Sequence, residues 1–245
     1  MSQGLAPLPR IRGARLALAS VLRAQPTPTI AHLGNSGNGY TWPMDARELR
    51  TANALRIAVF ELAAQHDIAQ VTTTELALYA GVARRTVYNH GRSPQELLFR
   101  FLSEELTKIR EELESTYPTR SVAESFEFGL RAVLAHVADH RAIYEQTGSG
   151  SVGAVWHQML TSHFAGTLSG FLRWYHPTVH WQSGIAGASR PEIQAVAAEV
   201  FAHSMAGAIE AWLRMPGRRE PELCFEIIKE TVPVWLHTPH SGANG

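Results

Sequence analysis

The sequence predicts an all-α protein, a small N-terminal helical unit joined to a larger one, on three observations. From Asp45 onward apolar residues recur at spacings of three and four, without the apolar–polar alternation of a half-buried strand. Helix-start chemistry repeats along the same stretch: Thr72 and Glu75 form a Thr-x-x-Glu capping box, and Ser93 precedes a proline at a first helical position. The 245 residues, 45% of them hydrophobic, suffice to bury a sizeable core.

Residues 1–44 stand apart. They carry Arg10, Arg12, Arg15 and Arg23, hold no acidic residue, and run into "AQPTPT" and "GNSGNGYTWP", which is turn and linker chemistry. A helix over 12–23 would be too short to hold alone in water, so this segment reads as a flexible basic arm. Leu49, Leu55, Val59, Leu62 and Ala63 then mark a helix over about 46–65, which stops at His66 and Asp67. A second helix begins at Thr72 and turns at Ala80, Gly81 and Val82; a short third runs over about 83–89. Pro94 opens a long fourth helix through Leu97, Leu98, Phe101, Leu102, Leu106 and Ile109.

Beyond Tyr117 and Pro118 the spacing predicts helices over about 120–146 and 152–175. A Gly-rich break, "QSGIAGASRP", precedes a helix over about 191–214, and "PELCFEIIKETVPVWL" follows. These last two are apolar on too many sides for solvated helices and read as partner surfaces as well as core. Residues 239–245 read as a disordered tail.

Basic and acidic residues balance at 22 each, so any nucleic-acid surface must come from local clustering. The single cysteine, Cys224, excludes an intrachain disulfide and a multi-Cys metal site; it fits a reducing, cytoplasmic location and, within "ELCFEII", a buried inert thiol. No stretch has the length of a membrane span. Arg23 closes the apolar segment 16–22 too early for a secretion signal.

The stretch "AGVARRTVYNHGRS", 80–93, carries the most chemistry. Two helices joined by a Gly-containing turn, the second bearing Arg84, Arg85, Thr86, Tyr88 and Asn89, describe a helix-turn-helix. Arginine forks onto guanine or phosphate, asparagine pairs with the edge of adenine, and hydroxyls anchor phosphates. Taken alone, two arginines on a short helix also fit an ordinary solvated face.

The same residues resemble the DNA-binding segment of the TetR family of bacterial repressors. Thr72, Leu76, Ala77, Ala80, Gly81, Val82, Thr86, Val87, Tyr88, His90, Ser93, Leu97 and Leu98 stand where that family's pattern has its threonine, Ala-Gly-Val turn, recognition helix and Leu-Leu pair. "LRAVLAHVADHRAIYEQ" and "AGAIEAWLRMP" are more loosely similar to the family's ligand-domain and dimer helices. The resemblance implies a DNA-binding domain over 45–92 and a ligand-binding and dimerisation domain over 93–238. It implies a homodimer on palindromic double-stranded DNA, released by a small-molecule inducer, with no cofactor and no catalytic residue. Contacts to DNA are then expected from Arg84, Arg85, Thr86, Tyr88 and Asn89, with Thr72 capping at a phosphate, Gly81 making the turn and His90 at the hinge to the fourth helix. Dimer contacts are expected from Phe201, Met205, Ile209, Trp212, Phe225 and Ile228.

Three residues depart from the family pattern. Ala83 replaces a capping serine, Gly91 an aromatic after His90, and Pro94 a lysine, so the junction after the recognition helix is expected to be loosely packed. A small-molecule-binding protein or enzyme on this scaffold that has lost DNA binding is the rival reading; a purely dimeric interaction protein is the third.

Other patterns carry less. "GSGSVG", 148–153, satisfies Gly-x-Gly-x-x-Gly but follows no strand, so a loop between helices is expected. His136 and His140 share a helical face and His157 and His163 follow on the next segment; no His-Glu-x-x-His accompanies them, and no metal site is expected. No Gly-x-Ser-x-Gly elbow occurs. His136, His140, Tyr144, Trp156, His157, Met159 and Phe164 mix polar with aromatic groups, as the lining of a small-molecule cavity does, and are the pocket candidates; plain core and satisfied histidines stay open beside that reading.

Overall fold

The computed structural model describes residues 46–147, 150–175, 187–217 and 220–232, all within the unit Met44–Gly245. The basic arm and the C-terminal tail lie outside the described residues. Nine α-helices and no strand are found among those described.

Helix α1 (Ala46–Gln65) turns Leu55, Ala58, Val59, Leu62 and Ala63 inward. A single 3-10 turn (Ile68–Gln70) follows, started by the Asp67 carboxylate, which accepts from the Ala69 N–H at 3.0 Å. Helix α2 (Thr73–Ala80) has the capping box read from the sequence: the Thr72 hydroxyl accepts from the Glu75 N–H at 3.2 Å, and the Glu75 carboxylate accepts from the Thr72 N–H at 2.8 Å. After α3 (Arg84–His90), Ser93 caps α4 (Pro94–Thr116) by accepting from the Glu96 N–H at 3.1 Å. Leu97, Leu98, Phe101, Leu102, Leu106 and Leu113 make the buried stripe of α4, which packs on α1, α5 and α7 and is the spine of the molecule.

The stretch expected as one helix over 120–146 is two, α5 (Val122–Asp139) and α6 (Arg141–Thr147), broken at His140 with φ −103° and ψ 20°. No glycine or proline stands there. Tertiary bonds make the break: His140 Nε2 lies 2.7 Å from Glu105, and Tyr144 is driven into the core against His136. Helix α6 then packs on α1. Helices α7 (Gly150–Tyr175) and α8 (Arg190–Arg214) pair along their length, and α9 (Pro221–Thr231) lies on α5 and α8. Gly150–Gly153 of the "GSGSVG" stretch belong to α7, and no strand precedes them among the described residues.

Most of the expected dimer contacts are buried within the chain itself. Met205, Ile209, Trp212, Phe225 and Ile228 are at most 3% exposed within a single chain, and Phe201 is half-buried against Phe164 with ring centroids 6.2 Å apart. One side of each of helices α8 and α9 fills the core of its own chain. The outward apolar groups of the α7–α8 pair are Val155, Trp174, Val196 and Val200, at 44%, 52%, 64% and 62% exposure. Cys224 is buried, and burial pushes its thiol up to about 12, which makes it inert.

Candidate nucleic-acid interface and internal cavity

Between α2 and α3 the chain reverses at Gly81, whose φ of 67° and ψ of 31° lie in the left-handed region. An added Cβ would meet nothing within 4 Å, so backbone conformation and not space selects glycine. The Val82 N–H donates to the Ala77 carbonyl at 3.0 Å and the Gly81 N–H to that of Leu78 at 3.3 Å, closing the end of α2. Val87, fully buried, anchors α3 from beneath. Arg84, Arg85, Tyr88 and Asn89 are exposed on its outer side, with Thr86 and His90 half-buried.

These groups are not equally available. Arg84 donates to the Tyr88 hydroxyl at 2.8 Å with its guanidinium 5.4 Å from the ring centroid; that hydrogen bond, then one with Thr73, holds the Tyr88 phenol below its ordinary range. The Thr72 hydroxyl is engaged by Glu75 as both acceptor and donor. Arg85 and Asn89 have no side-chain partner among the described residues.

The junction to α4 is tighter than Gly91 suggests from the sequence. The Gly91 backbone is extended, and a Cβ there would stand 2.8 Å from Leu97 Cγ and 2.9 Å from its Cδ2. Leu97, fully buried, packs directly onto this glycine, so the missing aromatic leaves no gap. Arg100 donates to the His90 carbonyl, and the Arg92 N–H donates to Glu96 at 3.1 Å. Ala83 does leave α3 without a side-chain cap.

Two hollows flank the middle of α4. An apolar cavity of about 40 Å³ is lined by Phe126, Leu130, Phe164, Leu168, Phe171, Phe201 and Met205, and has room for only a few waters. A more open cleft of about 350 Å³ is lined by Phe99, Ser103, Thr107, Val155, Gln158, Met159 and Ser162. Arg110 and His163 line both. Burial, reinforced by Arg110 and His136, lowers the His163 imidazole to about 4, so it is neutral at pH 7. Arg110 makes no hydrogen bond or ion pair among the described residues. Its Nη1 comes within 2.8 Å of where a Cβ on Gly166 would be, so this glycine clears room for the guanidinium.

Of the residues expected to line a pocket, Phe164 lines the cavity and Met159 the cleft. Tyr144 and Trp156 line neither; they pack on each other in the core, centroids 4.6 Å apart. His157 is held by Glu210 at 2.7 Å and His203 at 3.1 Å. His136 and His140 also turn away from both hollows, and are gathered instead by a residue that sequence reasoning missed. Glu105 of α4 places Oε2 2.7 Å from His140 Nε2 and 3.3 Å from His136 Nδ1, and Oε1 3.3 Å from Arg56 of α1. Burial works to raise the Glu105 carboxyl, but its hydrogen bonds to His136 and His140, and their charge, outweigh that and hold it well below the usual carboxylate range.

No protein-family model matches the chain, and no curated protein matches it. Solved structures do. The fatty acid degradation regulator FadR from Bacillus halodurans aligns with a TM-score of 0.57 at 13% identity, over 79% of this chain and 96% of its own. The dihydroxyacetone kinase operon activator DhaS gives 0.54 at 13%, over 74% and 93%. NalD, secondary repressor of the MexAB-OprM multidrug efflux pump in Pseudomonas aeruginosa, gives 0.52 at 17%, over 75% and 94%. At these identities the likeness is one of fold alone: the chain shares the all-α architecture of these three solved structures. No helix among the described residues is long and apolar enough to cross a membrane.

Proposed function

We propose that this protein is a sequence-specific DNA-binding transcriptional regulator, a ligand-responsive repressor that acts as a homodimer on a palindromic operator. One observation carries the reading: a Gly81 turn joins α2 to a short helix anchored by buried Val87, with Arg84, Arg85, Tyr88 and Asn89 all on its outer side. On this reading residues 45–92 are the DNA-binding domain and 93–238 bind ligand and dimerise. Arg85 and Asn89 read base edges in the major groove. The Arg84–Tyr88 pair and the remaining hydroxyls position α3 on phosphates.

Dimerisation through the outer face of α7 and α8, with Val155, Val196 and Val200 in contact, sets two recognition helices about 34 Å apart, one turn of DNA. The inducer enters between α4 and α7 and widens the narrow apolar cavity beside Arg110. Because α4 runs from that cavity to the junction at Leu97, its displacement moves α3 and spoils the spacing. The ligand must favour the released state by about 1–3 kcal/mol for such a switch to operate.

Selection of bound duplexes from random sequence, with and without added metabolite extract, tests the whole reading. An enriched inverted repeat that is lost with one extract fraction supports it; a folded dimer that enriches no sequence overturns it.

A further inference from the structure

We propose that Glu105, His136 and His140 form a binding site for one divalent transition-metal ion of the zinc class. Their donor atoms lie within 4.8 Å of one another, and two imidazoles with one carboxylate are the donor set such ions take. Ligands on a tetrahedral ion with bonds of about 2.0–2.2 Å stand roughly 3.3–3.5 Å apart. Glu105 Oε2 and His136 Nδ1 already have that separation at 3.3 Å, and the 2.7 Å contact to His140 opens by a small side-chain rotation. The proton now shared between His140 Nε2 and Glu105 leaves for the other imidazole nitrogen or for water, as metal binding to histidine requires.

The surroundings are built as metal-site surroundings are. The other nitrogen of His136 is fixed by the Tyr144 hydroxyl at 2.7 Å, which sets the ring's orientation. The other oxygen of Glu105 is held by Arg56, whose charge is met by Glu104, so the negative charge of Glu105 remains for the ion. The side chains of Glu105 and His140 are 26% and 20% exposed, which leaves a path for the ion and a position for water as fourth ligand. The site also has a telling place in the fold. Arg56 and Phe60 bring α1 to it, the Phe60 ring 4.8 Å from that of His140, so an ion there clamps the joint between the helix-turn-helix segment and helices α4 and α5. The binding site stands on its own geometry; only an effect of the ion on DNA affinity rests on the function proposed above.

The test uses the full chain, without a histidine tag and stripped with chelator, titrated with Zn²⁺ by calorimetry and with Co²⁺ by visible absorption. One ion per protomer is expected, with Co²⁺ bands of low-symmetry nitrogen–oxygen coordination. Binding is expected to weaken at least about tenfold in Glu105→Gln and His140→Ala and to be unchanged in His203→Ala. Absence of stoichiometric binding overturns the site, as does binding that survives both substitutions or is lost in His203→Ala. Should either site variant fail to fold by circular dichroism, anomalous scattering from zinc-soaked wild-type crystals decides. A peak between Glu105 and His136 supports the site, and a peak elsewhere or none overturns it. No DNA enters these measurements, so their failure leaves the regulatory reading separately testable.

Discussion

His163 makes stability depend on pH in a way that one substitution can remove. Its imidazole is 7% exposed at the wall shared by the apolar cavity and the cleft, and burial followed by Arg110 and His136 lowers it from 6.5 to about 4. The folded chain therefore resists the proton that the unfolded chain accepts. The stabilisation is complete above about 6.5 and is lost as the pH falls from there toward 4. For a group falling from 6.5 to about 4, the linkage relation gives a loss of about 2 kcal/mol between pH 7 and pH 5, most of the roughly 3 kcal/mol available. Urea unfolding at both pH values and one fixed protein concentration measures it, the concentration being held because dimers gain stability by mass action. The His163→Gln variant carries no titrating group and is expected to lose about 2 kcal/mol less than wild type over that interval. Equal losses in the two proteins would refute the placement of a neutral imidazole between the hollows.

Three further substitutions probe the helix-turn-helix junction and the outer face. Gly91→Ala puts a Cβ 2.8 Å from Leu97 Cγ and is expected to cost about 1–3 kcal/mol in urea unfolding; an unchanged midpoint would mean that Leu97 does not close this junction. Ala83→Ser adds a cap at a residue already extended, with φ −69° and ψ 144°, and is expected to stabilise by about 1 kcal/mol, read as a raised Tm. Val200→Asp, at a residue 62% exposed, is expected to give a folded protomer in light scattering with unchanged circular dichroism. A dimer that tolerates Val200→Asp would move the interface off this face of α8.

The helix starts were legible because they rest on local chemistry. Thr72 with Glu75 and Ser93 with Pro94 satisfy their own backbone groups whatever the rest of the chain does. The same holds for Gly81, whose left-handed conformation few other residues adopt. What depends on distant packing was not legible. The break at His140 has no local breaker and is made by Glu105, 35 positions earlier. Periodicity found Met205, Ile209 and Trp212 as one apolar face but could not say whether that face meets its own core or a second chain. Nothing in the spacing of α4 singles out Arg110 and Glu105, because it does not reveal that α5 and α7 pack against that helix. A carboxylate at the right helical position to face His136 and His140 was the one available signal, and it needed the relative placement of α4 and α5 to be seen.

The central claim, that α3 reads DNA, is tested most directly by comparing wild type with Arg85→Ala on a selected duplex at two salt concentrations, with the dimer confirmed by light scattering. The account predicts strongly salt-dependent binding by wild type. It predicts that Arg85→Ala weakens this by about 1–3 kcal/mol, roughly ten- to a hundredfold, with the dimer intact. Equal affinity of the two proteins, or wild-type binding indifferent to salt, would contradict it.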